Sequence, residues 1–268
     1  MVILISGKDK PTVSIVMPAY NAEKTIKASI NSIKAQTFCD WELIVVDDGS
    51  QDATPLIVKA FVDEDPRIQL VMNERNMGVS VTRNTGIAHA KGQWIAFLDS
   101  DDLWQEDKLD KQLKFMEANK AVISYTSTAY IDKAGYKSSF ILRAKHKLSY
   151  KQLLRRNIMS CSSVMLCREV IARYPFPEGH FHEDYVVWLN VLREIGYAYG
   201  LDEPLLLYRL SSESKSGNRV GSGLMVFGSY RAVGYGPVVS MFMTLRYAFH
   251  SIIKRRKIGK GWAREQKP

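Results

Sequence analysis

Short apolar segments alternate with amphipathic segments along the first hundred residues. Residues 13–17 and 41–46 are apolar runs rich in β-branched side chains, and each predicts a buried strand that ends in a loop. Residues 22–35, between these runs, carry isoleucines at helical spacing and predict a helix. A strand, a helix and a strand in this order predict two parallel strands of one sheet.

The same alternation continues to about residue 98. The pattern predicts helices over residues 54–61 and 79–90, and strands over residues 68–72 and 94–98. Four strands that alternate with three helices predict an α/β fold, with a Rossmann-like, mostly parallel sheet flanked by helices. Ligands of such sheets bind beyond the carboxyl ends of the strands. We therefore expect the functional site in the loops that follow the strands.

After residue 103 the pattern is less regular. Residues 122–131 and 138–143 predict a pair of strands, and residues 211–223, rich in serine and glycine, predict a mobile loop. The remaining predicted elements are helices over residues 108–117, 150–156 and 185–194, an apolar stretch over residues 163–167 and a strand over residues 205–210.

The C-terminal segment predicts an amphipathic helical extension. Residues 238–253 place apolar side chains on one helical face and Arg246, His250 and Lys254 on another, just before a run of four basic residues. The segment is shorter than the roughly 20 residues that span a bilayer. Two alternatives remain: the apolar face lies on an anionic membrane, or it packs onto the rest of the chain while the basic tail is solvated.

Composition places the chain among globular proteins. It has 268 residues, of which 46% are hydrophobic and 24% charged, so neither a disordered nor an integral membrane protein is expected. Its three cysteines cannot pair evenly, which favours a reducing compartment over a disulfide-framed secreted domain. The apolar run before Lys8 is too short for a signal peptide.

The net charge of +9 is concentrated in two segments. Residues 137–175 carry nine basic side chains and one acidic one, and residues 251–268 carry seven and one. This distribution favours an anionic substrate or surface near these segments. Nucleic acid is not expected as a partner, because no zinc fingers, basic-zipper heptads or stacking aromatics accompany the basic residues.

Carboxylates cluster at the end of the strand predicted over residues 94–98. Asp99, Asp101 and Asp102 lie within four residues and repel one another unless a cation or several donors compensate. A divalent ion held against a diphosphate explains this cluster well. The alternative is that these residues cap the helical start that follows.

Two further loops are candidates for a nucleotide cradle. Asp47 and Asp48, in Asp-Asp-Gly-Ser, follow the strand predicted over residues 41–46, and a carboxylate there can accept the imide N–H of uracil. Pro18 and Tyr20 follow the strand predicted over residues 13–17, and the tyrosine ring can lie against a base. Alone, Asp-Asp-Gly-Ser is equally typical of a turn with a capping residue.

Four motifs in this order resemble bacterial family 2 glycosyltransferases, the inverting group with the GT-A fold. The motifs are Val-Ser-Ile-Val-Met-Pro-Ala-Tyr-Asn from residue 13, Val-Val-Asp-Asp-Gly-Ser from 45, Gly-Val-Ser-Val-Thr-Arg-Asn-Thr-Gly from 78 and Phe-Leu-Asp-Ser-Asp-Asp from 97. The resemblance covers roughly residues 10–210. It implies transfer of one sugar from a UDP-sugar, in assembly of O-antigen, lipopolysaccharide or capsule.

The resemblance also implies roles for individual residues. Asp48, with Asp47 beside it, is similar to the family's uracil-binding aspartate, and Tyr20 and Arg83 would line the uridine pocket. Arg83 could otherwise be an ordinary arginine on a helix surface. In the DxD pair, Asp99 would lie near the ribose and Asp101 would bind Mn²⁺ or Mg²⁺. Asp102 would touch the donor sugar, and Arg209 the diphosphate.

His182-Glu183-Asp184 resembles the family's Glu-Asp motif, whose aspartate is the base. The chemistry agrees, because attack on the anomeric carbon requires the acceptor hydroxyl to lose its proton as the new bond forms. Asp184 is therefore the predicted base. The alternative for Glu183 and Asp184 is helix capping, and His182 is expected to make only local hydrogen bonds.

The processive members' Gln-x-x-Arg-Trp motif is missing near Arg209, so single-sugar transfer is expected. The expected acceptor is a saccharide or a polyprenyl-diphosphate-linked sugar at the cytoplasmic face of the inner membrane, with the protein peripheral. A non-catalytic nucleotide-sugar or glycan-binding protein of the same fold is the alternative. We expect a nucleotide-sugar half at residues 1–103, an acceptor and base half at 104–223 and a membrane-associating segment at 224–268.

Overall fold

The computed structural model describes residues 10–210 and 219–265, with side chains up to residue 262 apart from residues 219 and 220. The first hundred residues alternate strands and helices as the pattern predicts. These elements are β1 (Val13–Ala19), α1 (Ile26–Lys34), β2 (Trp41–Asp47), α2 (Thr54–Glu64), β3 (Ile68–Met72), α3 (Val79–His89) and β4 (Trp94–Phe97).

The second half contains the predicted strand pair and several elements that the pattern misses. The elements are β5 (Leu103–Trp104), α4 (Lys108–Asn119), β6 (Ile123–Ile131), β7 (Lys137–Leu142), β8 (Lys147–Ser149), α5 (Tyr150–Leu153), β9 (Met165–Cys167), α6 (Arg168–Ile171), α7 (Glu183–Ile195), β10 (Tyr197–Arg209), α8 (Arg219–Ala232) and α9 (Pro237–Glu265). Residues 219–223, predicted as part of a loop, are the start of α8, and the rest of that predicted loop, residues 211–218, lies outside the described residues.

One sheet runs through both predicted halves, in the order β3-β2-β1-β4-β9-β6-β10-β5, with β7 on β6 and β8 on β10. The first four strands are parallel, as predicted. Beyond them the sheet is mixed, because β9 pairs antiparallel with both β4 and β6. The chain passes from β1 to β2 on one side and reaches β4 on the other. The carboxyl ends of β1 and β4 therefore form a topological switch point, where α/β sheets bind ligands.

The sheet is buried on both faces. Alternate residues of one strand contribute to different apolar clusters: Val16 belongs to the cluster on one face, and Ile15 and Met17 to the cluster on the other. This double burial explains why the central strands are continuous apolar runs rather than alternating ones. It also holds the strand ends, and the loops that follow them, in fixed positions.

Helix α3 lies unusually close to β1. A Cβ on Gly86 would lie 2.5 Å from Cγ1 of Val16, closer than two such atoms can approach. A glycine at this position therefore lets the helix pack directly on the strand. This contact positions Arg83, one turn earlier in the same helix.

Helix α9 packs on the rest of the chain through hydrogen bonds from β7. Ser138 and Ser139 donate from their Oγ atoms to the carbonyl oxygens of Ile258 and Gly261, each at 3.1 Å. A Cβ on Gly261 would lie 2.9 Å from the backbone nitrogen of Phe140, so the helix and the strand are in close contact. None of the helices within the described residues has the length and apolar content of a transmembrane span.

Candidate active site

A cavity of about 930 Å³ opens at the switch point between β1 and β4. Both halves of the chain line it. Seven of the predicted site residues contribute to its wall: Pro18, Tyr20, Asp48, Arg83, Asp99, Asp101 and Asp184. Tyr20 is 48% exposed, as expected of a ring that is accessible to a ligand.

Asp48 anchors the loop that precedes α3. Its Oδ1 accepts hydrogen bonds of 2.8 Å from the side chain of Asn73 and from the backbone N–H of Met77, and its Oδ2 accepts one of 2.9 Å from Gly78. A carboxylate has about four lone-pair sites. One site remains for a ligand N–H, so contact with uracil stays a prediction that this geometry permits.

The backbone conformation at residue 49 explains why a glycine follows the two aspartates. Its φ of 72° lies in the left-handed region, and a Cβ there would lie 2.8 Å from the backbone carbon of Arg75. The loop after β2 therefore turns tightly against the segment that carries Asn76 and Gly78. Both Asp48 and Gly78 consequently reach the cavity.

Arg83 is buried between two carboxylates. Its Nη2 lies 2.7 Å from Oδ1 of Asp99, and its Nη1 lies 2.8 Å from Oε1 of Glu183. Its guanidinium carbon lies 5.3 Å from the centre of the Phe176 ring. Arg83 is therefore not a surface arginine, and it joins the loop after β4 to the start of α7.

Asp99 and Asp101 form the acidic wall of the cavity. Burial, together with the charge of the neighbouring Asp99, raises the pKa of Asp101 to about 6. In the described part of the chain, no group of three or more His, Cys, Asp and Glu side chains is arranged to hold a metal ion. A divalent ion bridging a diphosphate needs only one or two protein carboxylates. The pair therefore fits such an ion, provided a diphosphate supplies the other oxygens.

Three of the predicted site residues lie outside the cavity lining. Asp47 is fully buried and its Oδ2 accepts a 2.9 Å hydrogen bond from the backbone N–H of Ser50. Asp102 is also buried, and its Oδ1 accepts one of 2.9 Å from the backbone N–H of Arg209. The guanidinium of Arg209 donates to the carbonyl oxygens of Asp101, Asp132 and Lys133. These residues hold the loops in place and do not line the cavity.

Asp184 lies in the first turn of α7 and faces the cavity. Its Oδ1 accepts a 2.7 Å hydrogen bond from the backbone N–H of Tyr185. Burial, together with the negative charge of Glu183, raises its pKa to about 7. A carboxylate with this pKa can accept a proton near neutral pH. The backbone N–H of His182 donates to Oγ of Ser229 on α8 at 3.1 Å, and His182 also lines the cavity.

The pattern analysis misses one wall of the cavity, which comes from α9 and its neighbours. Tyr247, Lys254 and Trp262 contribute from α9, and Tyr130 contributes from β6. Tyr247, Lys254 and Trp262 lie on the face of α9 opposite the apolar stripe. Their only signal in the sequence is that aromatic and basic residues recur at helical spacing between the stripe positions.

The apolar stripe of α9 is exposed. The stripe consists of Val238, Met241, Phe242, Leu245, Phe249 and Ile252, which are between 53% and 82% exposed. The opposite face packs inward, with Tyr247 near Tyr185 at a ring distance of 6.0 Å. The alternative that the stripe packs onto the rest of the chain is therefore wrong.

The α/β sheet, with the acidic loop after β4 at its switch point, has the architecture of the GT-A fold. The overall fold is similar to that of the mannosyltransferase PcManGT from Pyrobaculum calidifontis, solved with GDP-Man and Mn²⁺. The TM-score is 0.65 at 19% identity, over 95% of this chain and 74% of that one.

Sequence comparison leads to the family. The model of glycosyl transferase family 2 matches residues 14–173. The chain is 40% identical over 212 residues to WfgD of Escherichia coli, covering 79% of this chain and 82% of WfgD. It is 32% identical over 242 residues to WfaP of Escherichia coli, covering 90% and 94%. Both are named UDP-Glc:alpha-D-GlcNAc-diphosphoundecaprenol beta-1,3-glucosyltransferases. The chain belongs to glycosyl transferase family 2 and is a glycosyltransferase.

Proposed function

We propose that this protein transfers one hexose or N-acetylhexosamine from a UDP-sugar to a saccharide or polyprenyl-diphosphate-linked acceptor, with inversion, during O-antigen, lipopolysaccharide or capsule assembly. One observation carries the proposal: the acidic wall of Asp99 and Asp101 and the carboxylate of Asp184 line the same cavity. A donor held by the first two residues would then lie beside the third. The acceptor chemistry is supported by the names of WfgD and WfaP.

The nucleotide end of the donor is assigned to the walls formed by the loops after β1 and β2. Tyr20 offers an exposed ring on which a base can stack, and Asp48 retains one acceptor position for an imide N–H. Both residues line the cavity near the carboxyl ends of the parallel strands. This is the position that the sheet order favours for a nucleotide.

Asp101, with Asp99, would hold Mn²⁺ or Mg²⁺. When bound, such an ion offsets the negative charge that develops on the leaving diphosphate. Arg83 already neutralises part of the charge of Asp99, with Nη2 at 2.7 Å. Asp101 makes no such ion pair with a described residue, so it is the better candidate for the ligand; burial and the charge of Asp99 raise its pKa.

Asp184 would accept the proton of the acceptor hydroxyl as that oxygen attacks the anomeric carbon. The bond to UDP breaks on the opposite side, so a single displacement inverts the configuration. An α-linked donor then gives a β-linkage, and the names of WfgD and WfaP specify β-linked products. The sequence has no Gln-x-x-Arg-Trp motif near Arg209, which supports transfer of a single sugar.

The exposed face of α9 is proposed to rest on an anionic membrane, at the cytoplasmic face of the inner membrane. Its apolar stripe ends where Arg256, Lys257 and Lys260 begin, and all three are exposed. An apolar face followed by exposed cations is typical of a helix that lies in the interface of an anionic bilayer. A lipid-linked acceptor would be presented at the same surface.

The direct test is UDP release, measured across a panel of UDP-sugars with a synthetic sugar-diphosphate-lipid acceptor, followed by NMR analysis of the product's anomeric configuration. We expect one donor to dominate and the product to be inverted. The matched variant is Asp184→Asn, which should lower kcat at least about a hundredfold without weakening UDP binding. Retention of configuration, or loss of UDP binding in this variant, would contradict the assignment of Asp184 as base.

A further inference from the structure

The inner face of α9 extends the cavity away from Asp184. Tyr247, Ser251, Lys254, Ile258 and Trp262 recur at intervals of three or four residues and all line the cavity. Tyr247 contacts Tyr185, the neighbour of Asp184, at a ring distance of 6.0 Å. Lys254 lies seven residues further along, which corresponds to about 10 Å of helix. The wall of α9 therefore begins beside the base and continues past it.

Two buried polar atoms on this part of the wall lack partners. Within the described part of the chain, neither the hydroxyl of Tyr130 nor Nε1 of Trp262 makes a hydrogen bond. Tyr130 is only 2% exposed. A buried donor left unpaired costs about 1–3 kcal/mol. Two such donors on one cavity wall indicate a ligand that supplies oxygen acceptors.

The charge of this wall is positive. Nζ of Lys254 lies 5.4 Å from the centre of the Tyr130 ring, and no carboxylate in the described residues pairs with it. Arg255 also lines the cavity. An ammonium, a phenolic hydroxyl and an indole N–H are all donors to oxygen, and the ammonium prefers an anion. The chemistry required of the ligand is therefore a charged group with several oxygens.

We propose that Lys254, Tyr130 and Trp262 bind the diphosphate of a lipid-linked sugar acceptor. This inference rests on the proposed function, since it assigns residues to the acceptor side of the same reaction. The donor's own diphosphate is assigned elsewhere, to the divalent ion that Asp99 and Asp101 would hold.

The two faces of α9 explain how such an acceptor reaches Asp184. The stripe on the outer face is exposed, whereas the inner face carries Lys254 and Trp262 into the cavity. A lipid chain that leaves the membrane beside α9 would place its diphosphate at Lys254. The sugar would then occupy the stretch of about 10 Å between Lys254 and Tyr247, where its hydroxyl meets the base. This length suits a short saccharide rather than a long polymer.

The test uses water-soluble acceptors, so that no membrane contributes to binding. One acceptor carries the sugar on a short alkyl diphosphate, and the other carries the same sugar on the same alkyl chain without phosphate. Binding to the UDP-loaded protein is measured by calorimetry, and transfer is measured separately. The variants are Lys254→Ala, Tyr130→Phe and Trp262→Phe, and the control is Lys114→Ala, whose exposed lysine on α4 pairs with Asp110.

Lys254→Ala is expected to weaken binding of the diphosphate acceptor about tenfold or more, and each aromatic variant about threefold to tenfold. Binding of the phosphate-free acceptor should change less than about twofold in all of them, as should every measurement on the control. Equal binding of the two acceptors by the unchanged protein would overturn the inference. A rise in the KM for the UDP-sugar in Lys254→Ala would also overturn it, because that result would show that Lys254 binds the donor and not the acceptor.

Binding and transfer together separate the two proposals. If the diphosphate acceptor binds through Lys254 but no UDP-sugar of the panel is transferred to it, the binding site stands and the proposed reaction fails. If transfer proceeds and Lys254→Ala leaves its KM for the diphosphate acceptor unchanged, the reaction stands and the site assigned here is wrong.

Discussion

Nη1 of Arg83 donates a 2.8 Å hydrogen bond to Oε1 of Glu183, one hundred residues further along the chain. The other terminal nitrogen of Arg83 donates at 2.7 Å to Asp99. One side chain of α3 therefore ties the residue beside the proposed base to the acidic loop after β4. The relative position of Asp184 and the DxD pair depends on this arginine.

Arg83→Met is expected to lower the free energy of unfolding by about 3–5 kcal/mol, because it leaves two largely buried carboxylates without their cation. Urea denaturation at neutral pH measures this loss. Glu183→Gln is the matched variant and should lower the free energy of unfolding less, because Arg83 retains its ion pair with Asp99. A loss in Arg83→Met no greater than that in Glu183→Gln would contradict the electrostatic explanation.

The sequence predicts the parts of the site that are local to strand ends. Pro18 lies near the end of β1, and Asp48 and Asp99 follow β2 and β4. The apolar pattern of these strands is clear, so the position of the three residues at one edge of the sheet follows from topology. The burial of Asp102 cannot be predicted from the strand pattern. It depends on the backbone N–H of Arg209, which the pairing of β10 with β5 brings against the carboxylate. Likewise, periodicity identifies two faces of α9, but Ser138 and Ser139 on β7 determine which face is buried.

The pH profile of transfer is expected to fall below pH 7. The pKa of Asp184 is raised to about 7 by burial and by Glu183, so below that pH the carboxyl carries the proton and cannot accept another. kcat/KM should drop about tenfold per pH unit on the acid side and level off above it. Glu183→Gln should move the acid limb of this pH profile to lower pH, because it removes the negative charge beside Asp184. A limb that stays in place in Glu183→Gln and persists in Asp184→Asn would exclude Asp184 as its source.

Gly86→Ala is expected to destabilise the protein by about 1–3 kcal/mol, because the new methyl group overlaps Cγ1 of Val16. Val16→Ala removes that atom, so the double variant should show a favourable coupling between the two sites. Thermal unfolding of the two single variants and the double variant measures the coupling. Strictly additive losses would show that the close approach of α3 to β1 is not the cause.

Removing the proposed metal ligand should make UDP binding insensitive to metal. Asp101→Asn is expected to bind UDP equally with and without Mn²⁺, whereas the unchanged protein should bind more weakly in EDTA. Calorimetric titrations under both conditions provide the measurement. Asp110→Asn, on the surface of α4, is the control and should keep the metal effect. Full transfer activity in excess EDTA would contradict the metal proposal.

The last prediction concerns the exposed stripe of α9. Phe242→Ser and Phe249→Ser together should reduce binding to anionic vesicles at least about tenfold, because burying one large apolar side chain contributes about 1.5–3 kcal/mol. Their rings are 70% and 64% exposed, so the fold should not change. Leu56→Ser is the control, since Leu56 is 76% exposed on α2. Binding measured by sedimentation should also weaken with added salt, because Arg256, Lys257 and Lys260 act through the lipid charge.

If the double variant sediments like the unchanged protein, or if neutral vesicles bind equally well, α9 does not bind the membrane through this face. Point substitutions are the right test here because the opposite face of the same helix lines the cavity, so deleting α9 would remove part of the active site together with the stripe.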